Sequence, residues 1–503
     1  MSAVLLGQSY FLRFDPKLWR AMQPYAPLGT LIAASCLRQR GFDVALFDAM
    51  LARDESEWEA AVERHRPRYA VLFEDNFNYL SKMCLLRMRQ AAFTMIRSAR
   101  RHGATVLVCG SDATDHAAAY LEAGAQLVIH GEGEATLGEA LAALDGGGDL
   151  ARVAGLTIAP QLAGGDEALR TPPRPVLRDL DALPFPAWDL VDVERYRRLW
   201  LARHGYFSMN LVATRGCPYH CNWCAKPIWG QTYHMRSPEN VADELAELRA
   251  RYRPDHLWFA DDILGLKRGW MAEFAAAVAA RGARTPFKCL SRADLLGRRG
   301  EVESLARAGC DIVWIGAESG SQKILDAMEK GTTVEQIRAA AQKVHEAGMR
   351  IGFFLQFGYP GETREDLELT RALVRDCRPD EIGMSVSYPL PGTPFYRRVE
   401  AELGAKRNWV DSEDLDMMYR GPFPTAFYRQ LHRVVSKEFR AQLAADELRR
   451  ALSRPQRLRP AHLRRAAALA YHHLTLPWAR RQLERRARLP HRGLGPLAGA
   501  MSP

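Results

Sequence analysis

No stretch of this 503-residue chain approaches the roughly 18 uncharged apolar residues that a membrane span requires. The opening MSAVLLGQSYFLRFD lacks a basic start, a long apolar run and a small-residue cleavage site in succession, so a cytoplasmic protein is expected. Cysteine is scarce: nine residues are too few for a secreted disulfide scaffold, and their spacing carries more than their number. A bias toward disorder is missing too. With 47% hydrophobic and 25% charged residues the composition is globular, and the length corresponds to about three domains.

Acidic residues run short only at one end. From Lys437 onward fifteen Lys or Arg face four acids, so this tail holds +11 of a total net charge of +10, and everything before it is close to neutral. A basic charge confined to one end reads as a local docking surface, and no DNA partner is expected.

Residues 1–150 alternate helical stretches with the short apolar runs AVLLG, DVALFDA, YAVLFE, ATVLVCG and AQLVIHG. Unbroken runs of this length fit strands buried on both faces, so the fold class is α/β, beginning with a five-stranded parallel, Rossmann-like sheet whose ligands sit at the carboxyl ends of its strands. Residues 151–204 read as a hairpin around VAGLTIAP and a Pro-rich linker, TPPRPVLRDLDALPFPAWDL. A second series, residues 205–395, has six runs: LVATRGC, HLWFADD, FKCLSRAD, DIVWIGAESG, RIGFFLQFGYPG and EIGMSVSYPLPG. Six strands with intervening helices predict a partial parallel barrel, again with its site at the strand ends. Residues 396–503 are expected to be helical and Arg-rich.

Arg215 to Cys224 reads RGCPYHCNWC, which spaces Cys217, Cys221 and Cys224 as C-x3-C-x2-C just after the first strand of the second series. Three thiolates in eight residues can surround one metal centre. A structural zinc site normally closes with a fourth ligand, for which His220 is the only nearby candidate. The segment resembles the cluster motif of the radical S-adenosylmethionine (radical SAM) superfamily. The resemblance implies a [4Fe-4S] cluster held by three cysteines, with one iron left to chelate S-adenosylmethionine, whose reductive cleavage yields a 5′-deoxyadenosyl radical. It implies further contacts to S-adenosylmethionine along the second domain: Trp223 near the adenine, Asp261 and Asp262 for the amino group, Ser291 and Arg292 for the carboxylate, Glu318 and Ser319 for the ribose, and Gly358 and Pro360 in the turn beneath the adenine. Taken singly, an acid at a strand end reads as a cap or ion pair, and a Gly-Pro turn as a turn.

One class of that superfamily carries an N-terminal cobalamin-binding domain, which this chain resembles through PYAPLGTLIAASCLRQRGFDVALFDA and HGEGEATL. The implied cobalamin contacts are Leu28 and Gly29, the loop Asn76, Phe77 and Asn78, the loop Gly110, Ser111 and Asp112, and Gly131, Glu132 and Gly133, where glycines would let a corrin approach closely. An ordinary turn with an acidic cap competes for the last group. The first loop, GQSYFLRFDPKLWRAMQPYAPLG, has no histidine, so the cofactor is expected base-off without a protein imidazole, and His116 is read as a surface or cap residue. Cys36, Cys84, Cys109, Cys289, Cys310 and Cys377 read as buried thiols.

The aromatic segment MYRGPFPTAFYRQLHRVVSKEFR is expected to cover the barrel mouth and touch substrate through Tyr419, Phe423, Phe427 and Tyr428, or else to be a packing helix. The following HLRRAAALAYHHLTLPWARRQLERRARL suits an interfacial helix on an anionic membrane, against a solvated tail or an RNA-binding extension.

The reading is a cobalamin-dependent radical SAM enzyme that methylates a poorly nucleophilic carbon through methylcobalamin. Its small-molecule substrate would be lipophilic if the tail meets a membrane, and its electron donor external, such as flavodoxin or ferredoxin. Radical cyclisation or rearrangement without methyl transfer is the alternative within the class. An RNA-modifying protein docked through the basic tail and a cobalamin sensor with a degenerate barrel are alternatives outside it.

Overall fold

The computed structural model describes residues 4–226, 228–453 and 460–491. Its first sheet contains β1 (Val4–Gly7), β2 (Val44–Phe47), β3 (Tyr69–Phe73), β4 (Thr105–Cys109), β5 (Leu127–Ile129), β6 (Leu156–Ile158) and β7 (Leu169–Arg170), in the order β2-β1-β3-β4-β5-β6-β7. Strands β1 to β5 run parallel. Runs such as YAVLF offer no polar residue to turn outward, so alternate side chains feed two separate cores. Leu5, Ala70, Leu72, Val106 and Val108 pack on one face, and Leu6, Tyr69, Val71, Leu107 and Ile129 on the other. The hairpin adds to this sheet rather than standing apart: β6 pairs antiparallel with β5, and β7 with β6. The proline-rich linker then drapes over the helix Leu28–Gln39, where Leu31 O accepts from Ala187 N at 3.2 Å and Ser35 donates to Phe185 O at 2.7 Å.

The second sheet is six parallel strands in the order β15-β14-β13-β12-β11-β8: β8 (Ser208–Leu211), β11 (His256–Phe259), β12 (Phe287–Ser291), β13 (Cys310–Glu318), β14 (Arg350–Phe357) and β15 (Glu381–Val386). The first strand expected over 211–217 stops at Leu211, because Asp261 accepts from Ala213 N at 3.0 Å and from the Thr214 hydroxyl and draws the chain aside. Thr214–Arg215 instead forms β9, paired with β10 (His234–Met235), and this short ribbon ties off the cysteine loop at both ends.

Within the barrel, Val313, Ile315 and Ala317 face the helices, while Trp314 and Gly316 face inward. After the barrel come two antiparallel helices, Thr425–Leu452 and Pro460–Arg486, joined to it by Glu438, which binds both Arg371 and Arg480. No helix among the described residues is long and apolar enough to cross a membrane.

Candidate active site

The cysteine loop is held from below by its own asparagine. Asn222 N donates to Met328 O (3.1 Å), its amide donates to Ala327 O (2.8 Å), and its side-chain oxygen accepts from the Tyr359 hydroxyl (2.7 Å). Tyr359, fully buried between Gly358 and Pro360, is therefore what the FGYPGET turn lends to the loop. Gly358 takes a φ of +81°, a conformation that favours glycine, and its N–H donates to Glu362 at 2.7 Å. Burial raises the Glu362 carboxyl to about 8.

Around the loop lie the strand ends. Arg292 sits 3.5 Å from the Tyr219 ring centroid and donates to Asp294 (2.9 Å) and Lys330 O (3.0 Å), knitting the cysteine loop to the loop after β13. A register shift between Gly316 and Glu318 turns Glu318 inward at a φ of +55°, a strained conformation of the kind that collects at functional sites. It accepts from Lys330 at 2.7 Å. Burial works against the Lys330 ammonium, but Glu318 and Cys221 more than offset this and raise its pKa.

Asp261 is buried with one carboxylate oxygen unpartnered, and burial lifts it to about 7. Asp262 is half-buried beside it. Trp223 is half-buried with its indole N–H unpartnered. Ser291 donates to Leu264 O and Ser319 pairs with Thr370, so both brace the rim from within. The inner wall below is aromatic: Trp314 lies over Gly352, and Phe354, 40% exposed, lies over Gly383 with its ring 4.6 Å from Trp314.

The first sheet presents its carboxyl edge to this rim. Phe77 stacks on Trp229 at 5.2 Å, and Gly131 lies against Ile228 O. Arg215, two residues before Cys217, is buried between Glu132 (2.9 Å) and Glu134 (2.6 Å) of the GEGE turn. Burial opposes that guanidinium, and the two carboxylates hold it charged. Tyr79 begins the short helix that follows the loop after β3. Its surface is 53% accessible, yet burial pushes its phenol up, followed by the charges of Cys224, Glu318, Tyr388 and Asp262.

Residues 211–374 match the family model of the radical SAM superfamily. That third of the chain is a radical SAM domain. The chain is 28% identical to an uncharacterised methyltransferase of Pyrococcus horikoshii over 58% of this chain and 61% of that protein. It is also 28% identical to the anaerobic magnesium-protoporphyrin IX monomethyl ester cyclase of Rubrivivax gelatinosus, over 57% and 50%. The chain thus spans between half and two thirds of the length of these curated relatives.

Two solved structures share the fold. The cobalamin-dependent radical enzyme OxsB, with aqua-cobalamin and S-adenosylmethionine bound, has a TM-score of 0.69 at 17% identity, covering 95% of this chain and 72% of that one. The methyltransferase TsrM of Kitasatospora setae, with cobalamin and a [4Fe-4S] cluster bound, has a TM-score of 0.64 at 21% identity, covering 79% and 75%.

The donor set of the radical SAM loop fits a cluster rather than a lone ion. No three His, Cys, Asp or Glu side chains among the described residues converge tightly enough for one metal, and His220 is engaged with Gln231 at 2.9 Å. Three half-buried thiols in one loop are the donor chemistry that an iron-sulfur cluster takes. Burial raises the Cys217 thiol, so a positive centre would have to draw off its proton. Among the unpartnered buried polar atoms are those of Asp261, Trp223 and Thr332 in the barrel and of Gln8, Ser81 and Thr114 in the first domain. Such atoms are rare in native proteins, and here they fit polar cofactors on both sides.

Several expected contacts are used internally. A Cβ on Gly133 would lie 2.3 Å from Cys109 Sγ and 2.6 Å from Phe73, so this glycine serves the packing of its own sheet rather than the approach of a corrin. Glu132 is engaged by Arg215, Asp112 by Arg89 and Tyr120, and Asn76 accepts from Ser111 N. Asn78 caps the next helix, Gly29 N donates to Asp75 at 3.0 Å, and Leu28 is fully buried. Gly110 packs on Glu74, whose carboxyl burial raises to about 7. Pro360 is half-buried in its turn.

The aromatic segment also differs from the expectation. Tyr419 and Tyr428 bind Gly358 O and Glu362, and Phe427 is buried with them under the turn, leaving these three no surface for a substrate. Half-buried Phe423 stacks on Phe427 at 4.2 Å. Tyr79, Arg215, Lys330, Tyr359, Trp314 and Phe354 were not foreseen. Arg215 opens the cysteine motif and Tyr359 lies inside the turn singled out in the sequence, but neither was given a role there. His116 stands half-exposed at the junction of two short helices, its side chain making no capping hydrogen bond to the helix that follows. Cys289 and Cys310 are buried 3.9 Å apart.

Proposed function

We propose that this chain is a cobalamin-dependent radical SAM methyltransferase that acts on a poorly nucleophilic carbon of a small, apolar molecule. The observation that carries the reading is that the carboxyl edges of the two sheets meet at the cysteine loop, where Arg215 is buried between Glu132 and Glu134 and Phe77 stacks on Trp229, since this reaction needs both cofactors face to face. When bound, the cluster and S-adenosylmethionine would supply hydrogen abstraction, and cobalamin a methyl carrier. Cys217, Cys221 and Cys224 would hold the cluster. Glu318, fixed by Lys330, would accept from the ribose hydroxyls, and half-buried Asp262 from the amino group. Arg292, fixed by Asp294, would lend positive charge to the carboxylate side. Trp223, with its indole N–H unpartnered, would border the adenine.

The inward Trp314 and Phe354 give a substrate an apolar wall and keep water from the reacting carbon. At the edge of the first sheet, His116 stands half-exposed between two short helices and His130 is engaged with Thr157 at 2.7 Å, which supports a base-off cofactor without an imidazole ligand. An external one-electron donor such as flavodoxin or ferredoxin would reduce the cluster.

Likeness to the magnesium-protoporphyrin ester cyclase favours a second reading, radical cyclisation without methyl transfer. Anaerobically reconstituted protein, given candidate apolar substrates and S-adenosylmethionine labelled in its methyl group, separates the two. Methylation puts label in the turned-over product. An unlabelled product ends the methyltransferase reading.

A further inference from the structure

The terminal helix Pro460–Arg486 has two unlike faces. Toward the helix Thr425–Leu452 it buries His472, Ala479 and Leu483, and Gln430 donates to Ala479 O at 2.9 Å. On the opposite side it displays Leu463 (76% exposed), Tyr471 (57%), Leu474 (81%) and Trp478 (64%). Steps of eight, three and four residues stack these four in one row along an α-helix. Exposed large apolar residues scattered singly need no explanation, but a row of four ending in Trp is a patch.

The charge around the row has one sign. The helix carries six arginines and one acid, Glu484, and Glu484 is paired with Arg364 of the barrel. Arg480 and Arg465 are paired with Glu438 and Glu447. Arg464, Arg481, Arg485 and Arg488 have no described carboxylate within ion-pair distance. Arg481 and Arg485 continue the apolar row beyond Trp478, and Arg464 flanks its start. Since the chain before Lys437 is nearly neutral, the excess positive charge of the whole protein lies at this end.

We propose that this face docks on an anionic membrane surface, with Leu463, Tyr471, Leu474 and Trp478 in the interface and the free arginines against acidic headgroups. A phosphate-rich polymer such as RNA would use the arginines but leave Leu474, the most exposed of the four, facing water. A lipid interface satisfies both sets at once, and Trp and Tyr favour that boundary. The helix is too polar to cross, so it lies in the plane of the surface. The docking is independent of the chemistry proposed above, and either can fail alone.

Full-length protein is mixed with sucrose-loaded vesicles of phosphatidylcholine and phosphatidylglycerol in equal parts, and pelleted. It should pellet with these vesicles at low salt, less at high salt, and weakly with phosphatidylcholine alone. Leu474→Ser with Trp478→Ser should weaken binding about tenfold or more per anchor. Arg481→Glu with Arg485→Glu should weaken it about fivefold or more per arginine. All four positions are on the surface, and an unchanged melting temperature shows that each variant is folded. The proposal is overturned if wild type does not pellet with the acidic vesicles, or if both double variants pellet as wild type does. It is equally overturned if the apolar variant instead abolishes self-association or RNA binding while vesicle binding persists.

Discussion

Replacing Arg215 by Met tests whether the GEGE turn and the cysteine loop are one electrostatic unit. The guanidinium is 3% exposed, and its two partners, Glu132 and Glu134, are 9% exposed each. Its removal leaves two carboxylates together in a place that water barely reaches, while the Met stem still fills the space. Breaking a buried pair by removing one partner costs ~3–5 kcal/mol, because the remaining charge is uncompensated. For a chain of this size that lowers the melting temperature by about 3–5 °C.

The loss must depend on pH. Burial already raises the Glu132 carboxyl and the variant removes the arginine that opposes this, so folding favours its protonated form; stability is retained at low pH and falls as pH rises through the raised pKa. Adding Glu132→Gln and Glu134→Gln to the variant removes the bare charges and should recover most of the loss. Thermal melts of the three proteins at pH 5 and pH 8 read both effects. A single variant melting within about 2 °C of wild type, or a triple variant no better than the single, would refute the reasoning.

Other outcomes follow from single contacts. Glu362 is lifted from 4.5 to about 8 by burial, so it favours folding most below its unfolded value, and that contribution is lost as pH climbs through about 8. Glu362→Gln should flatten the stability profile across this window, as read by melts at stepped pH. Gly133→Ala drives a methyl group into Cys109 and Phe73, and should cost ~1–3 kcal/mol in denaturant unfolding with no change in iron content. Tyr359→Phe removes the hydroxyl that holds Asn222 at 2.7 Å. It should leave the fold intact, cost ~1–2 kcal/mol and loosen the cysteine loop, seen as faster loss of iron to a chelator.

Both sheets were legible because their apolar runs are long enough to be strands and have no polar face, and the three cysteines announce themselves by spacing. What escaped is what joins distant parts of the chain. Arg215 and GEGE lie eighty residues apart, and nothing local says that one neutralises the other. Tyr359 hides between two glycine- and proline-type turn residues that look sufficient in themselves. The end of the first barrel strand was misjudged because a buried aspartate, not a turn residue, pulls the chain out of the sheet. Gly133 was legible as a glycine that needs room, but the neighbour demanding it is a cysteine of the same sheet. The aromatic tail segment carries the same signal whether it faces a cavity or a core, and hydrogen bonds to Gly358 and Glu362 decide for the core.

The most direct test of the central claim is the yield of 5′-deoxyadenosine from anaerobically reconstituted protein with S-adenosylmethionine and a strong reductant. Wild type should form it, and the variant with Cys217, Cys221 and Cys224 all replaced by Ala should form none. Equal yields from the two proteins would contradict the account.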